Sequence, residues 1–261
     1  MEKVNKSGVD LSVHNGNIDF EKLSKNVDFV MLRGGYSKTV DKNFIHNAKE
    51  CEKYNLPYGV YWFSYAFNDA QGKGEANFLL ETLKENELNP TIPIAFDYEY
   101  DSYEYAKKKG QDVSANNICK IAKGFLDTII KSGHKVMLYT NLDYYTRIFK
   151  SIVNNYPIWL AQWNADTPAK QCVMWQYSST KKVSGVIGYV DSNIYYDNQN
   201  EIQDENKKKK IQDKFWDKYM SVAQRILQGE FGNGAERKAR LKEQGLDSEL
   251  AQDIVNYLVY G

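Results

Sequence analysis

The sequence predicts an α/β protein: a compact, irregular β/α barrel followed by a small C-terminal three-helix bundle. Three observations lead there. Over residues 1–198 short apolar runs alternate with stretches of helical period; residues 199–214 carry almost no apolar side chains; and from Phe215 helical period returns in three short pieces. Repeated strand, helix, strand units make a mainly parallel sheet, and so many in about 190 residues fit a barrel.

The strand-like runs are Gly8 to Ser12, Phe29 to Arg33, Gly59 to Phe63, Pro93 to Asp97, Lys135 to Tyr139, Ile158 to Gln162 and Val173 to Tyr177. Helical stretches lie between most of them, at Asp41 to Tyr54, Glu75 to Glu87 and Ser114 to Lys131. The last places Ile118, Ile121, Ala122, Phe125 and Ile129 on one face, with Gly133 as its stop. After Trp159 the helical stretches thin out, which predicts hairpins or loops between the final strands. Residues 199–214, with Lys207 to Lys210 among acids and amides, read as a solvated linker. In residues 215–261, Phe215, Tyr219, Val222 and Ile226 share a helix face that ends near Gly229. A second helix runs from Ala235 to Gln244, and Asp247 caps a third bearing Leu250, Ile254, Val255 and Leu258. A unit this small has little interior for a catalytic pocket and reads as a binding module.

Charge narrows the function. The 261 residues hold 34 Lys plus Arg and 34 Asp plus Glu, and the balance is zero both over residues 1–198 and over residues 199–261. Partners whose recognition rests on neutralising phosphate are disfavoured, so neither nucleic acid nor a membrane surface is expected. Three cysteines (Cys51, Cys119, Cys172) without metal-ligand spacing suggest neither a disulfide framework nor a zinc site. His14, His46 and His134 are scattered, and no metal or cofactor is expected. Met1 to Lys6 leads into no apolar segment, so the protein is expected to be made in a cytoplasm without a signal peptide.

The chemistry concentrates in Ile94-Ala95-Phe96-Asp97-Tyr98-Glu99-Tyr100. If the strand runs through this segment, alternation puts Ala95, Asp97 and Glu99 on one face and Phe96, Tyr98 and Tyr100 on the other. The two carboxyls then stand on the order of 6 to 7 Å apart at Cβ, facing the barrel mouth where barrel active sites lie. Like charges so close do not both ionise readily, so one keeps a proton for acid catalysis, as glycosidic cleavage requires. Asp-x-Glu alone is a common surface tripeptide. Here an apolar strand leads into it, and acids recur at two further strand ends, Asp10 in Gly-Val-Asp-Leu-Ser and Asp191 in Tyr-Val-Asp-Ser-Asn. A first and a last strand are neighbours in a closed barrel, so all four acids can share one mouth.

Gly8-Val9-Asp10-Leu11-Ser12, Gly59-Val60-Tyr61-Trp62-Phe63 with Ser64-Tyr65-Ala66, Asp97-Tyr98-Glu99, Trp175-Gln176-Tyr177-Ser178 and Val190-Asp191 occur in the order found in glycoside hydrolase family 25. The chain resembles that family, the muramidases that include many phage lysozymes, over roughly residues 7 to 198. The resemblance implies hydrolysis of the β-1,4 bond between N-acetylmuramic acid and N-acetylglucosamine in bacterial peptidoglycan, with action on the cell wall after release. It also implies Glu99 as general acid, Asp97 as its partner carboxylate, Asp10 and Asp191 as supporting acids, and Tyr61, Tyr139 and Gln176 along the sugar cleft. Asp97 either attacks the anomeric carbon or orients the substrate's acetamido group to do so; both routes retain configuration.

Arg33 stands at a strand end and either holds an anionic muramyl or peptide carboxylate or pairs with the acids. Tyr36, Trp62, Tyr65 and Trp159 offer rings for stacking on sugars or for the core. Behind the linker, Gly229-Glu230-Phe231-Gly232-Asn233-Gly234 with Glu236-Arg237-Lys238, Arg240-Leu241 and Gln252 resembles the cell-wall-binding repeat of some phage lysozymes, with Phe231 where Trp is common. Arg237 and Arg240 are then placed to hold muropeptide carboxylates or to be ordinary solvated surface. The leading reading is a phage endolysin; the alternatives are a non-catalytic glycan-binding protein on the same barrel and a chitin-type glycosidase.

Overall fold

The computed structural model describes residues 5–196, 218–248, 251, 252 and 255. It divides into two compact units, Met1–Gln199 and Asn200–Gly261, each with its own apolar core.

In the first unit eight strands close into a ring. Their chain order is β1 (Asn5–Leu11), β2 (Phe29–Tyr36) with its hairpin appendage β3 (Thr39–Val40), β4 (Tyr58–Phe63), β5 (Ile94–Asp97), β6 (Val136–Asn141), β7 (Ile158–Ala161), β8 (Met174–Lys181) and β9 (Val190–Tyr196). Neighbours from β1 to β8 pair parallel, β9 pairs antiparallel with both β8 and β1, and β3 lies outside the ring. The hairpin expected late in the chain is therefore β8–β9, and it closes the barrel.

The parallel steps need crossovers, and α1 (Phe20–Leu23), α2 (Phe44–Lys53), α3 (Asp69–Glu85), α4 (Tyr100–Lys108), α5 (Ala115–Lys131) and α6 (Leu142–Arg147) lie along them. Helix α5 behaves as its pattern requires. Ser114 accepts the Asn117 N–H at 3.3 Å as N-cap, a contribution of about 1 kcal/mol, and Ile118, Ile121, Ala122, Phe125 and Ile129 are buried. Phe125 meets Phe96 of β5 at 5.4 Å between ring centres, so the strand that ends in Asp97 is held from outside. Gly72 lets α3 approach α5 closely: a Cβ there would lie 2.6 Å from the Ile121 carbonyl oxygen.

The expectation that strand alternation runs on to Tyr100 is corrected. Strand β5 ends at Asp97, and Glu99, still extended (φ −121°, ψ −172°), is the N-cap of α4. Ser102 Oγ accepts the Glu99 N–H at 3.3 Å, a local helix-start signal that competes with the ladder. Tyr100 is consequently exposed on α4 and donates its hydroxyl to Asp143 at 3.0 Å, instead of packing under the outer helices.

In the second unit α7 occupies residues 218–227 and α8 spans Gly234–Glu243, around a core including Tyr219, Val222, Ile226, Phe231 and Leu241. Gly229 and Gly245 take positive φ (85° and 65°) just beyond the two helices, the conformation that stops a helix at lowest cost in a residue without Cβ. Most of the expected third helix and all of the linker at 199–214 lie outside the described residues. Among the described residues no helix is long and apolar enough to cross a membrane.

Candidate active site

Topology gathers the acids. Asp10 is the penultimate residue of β1 and Asp97 the last of β5, so both sit at the C-terminal mouth. Asp191 is the second residue of β9, but β9 runs antiparallel, which brings its start to the same end, with Asp191 directly opposite Asp10. Glu99 arrives from the β5–α4 junction. All four line a cavity of ≈ 260 Å³ with Arg33, Tyr61, Tyr139, Trp159 and Gln176.

Hydrogen bonds fix the floor. Asp10 Oδ2 accepts from Gln176 Nε2 at 3.0 Å and from Asn193 Nδ2 at 2.8 Å. Asn193 in turn accepts from Trp159 Nε1 at 2.8 Å, while Gln176 Oε1 accepts from the Tyr139 hydroxyl at 3.2 Å and from Trp163 Nε1 at 3.3 Å. Tyr61 and Tyr139 meet the Trp159 ring edge-on at 5.9 and 4.8 Å. Trp159 is 1 % exposed and Trp62 faces the outer layer against Phe78, so Trp159 is the packed floor of the cavity and Trp62 belongs to the core.

Electrostatically the mouth holds protons. Asp97 is 4 % exposed, and burial, then the neighbouring Glu99 and Asp10 carboxyls, raise its pKa well above the carboxylate range despite Arg33. Burial and Asp191 push Asp10 up to about 7. Glu99 is raised by burial, opposed by its contact with the Tyr139 hydroxyl, with Asp101 and Asp191 adding to the rise. Asp191 is raised by burial and relieved by its hydrogen bond with Asp10. Burial also raises Tyr61 and Tyr139 well above the usual phenol value, so both keep their protons, and Tyr139 donates its own to Gln176. Asp97 Oδ1 is buried without a hydrogen-bond partner among the described residues.

Arg33 lines the acid cavity and is anchored outside the four acids. Its Nε bonds Asp41 Oδ2 at 2.7 Å, an acid of the β3–α2 junction outside the four, while its charge still bears on Asp97. Asp41 also accepts the Val13 and Asn43 N–H groups at 3.1 and 2.9 Å, so Arg33 is held as a fixed cation in the wall. Tyr36 and Tyr65 lie in an adjoining hollow and not in the acid cavity.

Sequence reading overlooked Ser12, His14, Asn15 and Phe63 in the lining, and Asn193, Asp41 and Trp163 in the network. Asn193 was findable, because strand alternation from Asp191 puts it on the same face. His14 is exposed at the rim, on the turn Val13–Asn15 that follows β1.

In the second unit both flagged arginines are committed internally. Arg237 donates to the Gly232 carbonyl (3.1 Å), Gln252 (2.9 Å) and Asn233 (3.0 Å); Arg240 donates to the Glu230 carbonyl (3.0 Å) and Glu236 (2.5 Å).

Residues 9–186 match the family model of glycosyl hydrolases family 25, and residues 221–259 match the CW_7 repeat. The autolytic lysozyme of Clostridium acetobutylicum is 26 % identical over 191 residues, 70 % of this chain and 54 % of that one. The lysozyme of Streptococcus phage Cp-7 is 24 % identical over 212 residues, 77 % of this chain and 55 % of its own. Among solved structures, the modular autolysin LytC of Streptococcus pneumoniae, in complex with a synthetic peptidoglycan ligand, superposes with a TM-score of 0.67 at 29 % identity, covering 74 % of this chain and 47 % of LytC. The chain thus spans about half the length of each of these three relatives. The family match takes in more than half of the chain and nearly the whole barrel, including Asp10, Asp97 and Glu99: the chain belongs to glycosyl hydrolase family 25.

Proposed function

We propose that the protein is a peptidoglycan hydrolase of the phage endolysin kind, a muramidase that cuts the β-1,4 bond after N-acetylmuramic acid in the bacterial cell wall. The observation that carries this is the convergence of four carboxyls on one aromatic-walled barrel mouth with a single fixed cation. The lysozyme and autolysin relatives support the substrate class.

Glu99 is the acid. Its raised pKa keeps the proton that it delivers to the glycosidic oxygen as the bond breaks. Asp97 is the second carboxyl. It acts in its ionised form, which the Arg33 charge favours against burial and the neighbouring acids, and either forms the bond to the anomeric carbon or accepts the acetamido N–H while the acetamido oxygen forms it; Glu99 then takes a proton from the incoming water. Asp10 and Asp191 hold the field around the pair, Tyr139 steadies Glu99, and Tyr61, Gln176 and Arg33 shape the sugar site. Residues 1–198 constitute the catalytic unit, 199–214 the linker and 215–261 the wall-binding module.

Mass spectrometry of digested peptidoglycan tests the bond assignment: products ending in reducing N-acetylmuramic acid are expected, and reducing N-acetylglucosamine ends overturn it. The absence of any new reducing ends would favour a binding protein on the same barrel.

A further inference from the structure

Next to the acid cavity lies a larger hollow of ≈ 980 Å³, bounded by the β2–β3 hairpin, the loop from β4 into α3, and α4. The two share a wall: Arg33 and Phe63 line the acid cavity, and they face Tyr36 at 6.0 Å and Tyr65 at 5.2 Å in the hollow. Tyr65 meets Tyr36 and Tyr105 edge-on at 6.3 and 5.2 Å, and Phe67 stacks on Tyr105 at 5.7 Å, giving a continuous apolar bed.

Around this bed stand four exposed charges, Lys38, Lys108, Asp101 and Glu104. None of them makes an ion pair among the described residues, although Glu104 and Lys108 have the i, i+4 spacing at which Glu21–Lys25, Asp69–Lys73 and Asp143–Arg147 do pair. The hollow thus offers two exposed cations and two exposed anions over aromatic rings, and below them the buried Glu75, whose Oε1 accepts the Tyr65 N–H at 3.2 Å. The glycan itself carries no ammonium and, once its peptides are removed, only the lactyl carboxylate of N-acetylmuramic acid, so it has no use for the two exposed acids. A short peptide with free carboxylates and a side-chain ammonium uses both.

We propose that this groove takes the stem peptide of the wall polymer, with its carboxylates toward Lys38 and Lys108, its diamino-acid ammonium toward Asp101 and Glu104, and its apolar side chains on Tyr65, Tyr105 and Phe67. The inference rests on the peptidoglycan reading above and adds to it the part of the polymer that selects the substrate. Binding energy gained there, remote from the scissile bond, holds the glycan in register over the acids.

The test compares kcat/KM on intact peptidoglycan with kcat/KM on the same glycan stripped of its peptides by an amidase. For the wild-type chain the ratio of intact to stripped is expected to be about three- to tenfold, the size of one or two exposed charge pairs. The double variant Lys38→Gln/Lys108→Gln and the single variant Glu104→Gln should each move that ratio toward one, and added salt should do the same for the wild type. A wild-type ratio of one, or variants that lose equally on both substrates, overturns the proposal. Should a variant unfold, which a melting curve detects, the wild-type ratio and its salt dependence decide alone. Failure of the wild type to cut either substrate would instead reject the hydrolase reading, and the peptide site with it.

Discussion

The barrel mouth and the C-terminal unit treat charge in opposite ways. In the mouth, Asp10, Asp97, Glu99 and Asp191 face one arginine that is itself paired to Asp41, and all four carboxyls are pushed upward in pKa. In the C-terminal unit, Arg225 meets Glu230 at 2.6 Å and covers the Phe231 ring, while Arg237 and Arg240 between them reach two backbone carbonyls and three side chains. Satisfied charge of the second kind organises a small fold that has few apolar residues to spare. Unsatisfied charge of the first kind costs stability and is retained where a proton must be held ready.

Removing a reactive carboxyl from the mouth is the strongest test of this contrast. Asp97→Asn should lower kcat on cell-wall substrate by about 10²- to 10⁴-fold with the fold intact, measured by reducing-end release. An effect on stability should come from Asp10→Asn. A buried acid whose folded pKa is raised stabilises the native state fully below its unfolded value, near 4, and loses that contribution as pH rises through its folded value, here about 7. Wild-type melting temperature should therefore fall between roughly pH 4 and 7, and Asp10→Asn should flatten that fall, gaining on the order of 3 kcal/mol at pH 8 while losing activity. A variant as pH-sensitive as the wild type would break the contrast. In the C-terminal unit the sign reverses: Arg237→Ala should cost that unit about 1 kcal/mol by removing the hydrogen bonds to the Gly232 carbonyl, Gln252 and Asn233. Calorimetry of the whole chain would register this as a shift in one transition and not in the barrel's. The smallest effect is expected at the rim. Trp163 is 50 % exposed yet tied to Gln176, and Trp163→Ala should raise KM about three- to tenfold with little change in kcat, as loss of a stacking platform does.

What the sequence made legible follows from periodicity. Helix α5 and the strands that begin the barrel are strongly periodic, and the ordered motifs placed Asp10, Asp97, Glu99 and Asp191 together before any coordinates. Helix α4 escaped because it buries only small residues, Ser102 and Ala106, and Glu99 moved from strand to N-cap for the same reason. Asp41 escaped because its partner Arg33 is reached only through the β2–β3 hairpin, whose two-residue strand leaves almost no pattern. The internal partners of Arg237 and Arg240 were not legible because sequence shows charge but not the carbonyl and amide oxygens that fold back onto it.

The central claim is that the crowded, buried carboxyls keep a proton on Glu99 for the leaving group. The pH dependence of kcat/KM for peptidoglycan cleavage, with Glu99→Gln as control, measures it directly. The account predicts a descending limb on the alkaline side, above the ordinary glutamate value near 4.5, and activity reduced by at least about a hundredfold at every pH in Glu99→Gln. A descending limb at or below that ordinary value, or undiminished cleavage by Glu99→Gln, would contradict it.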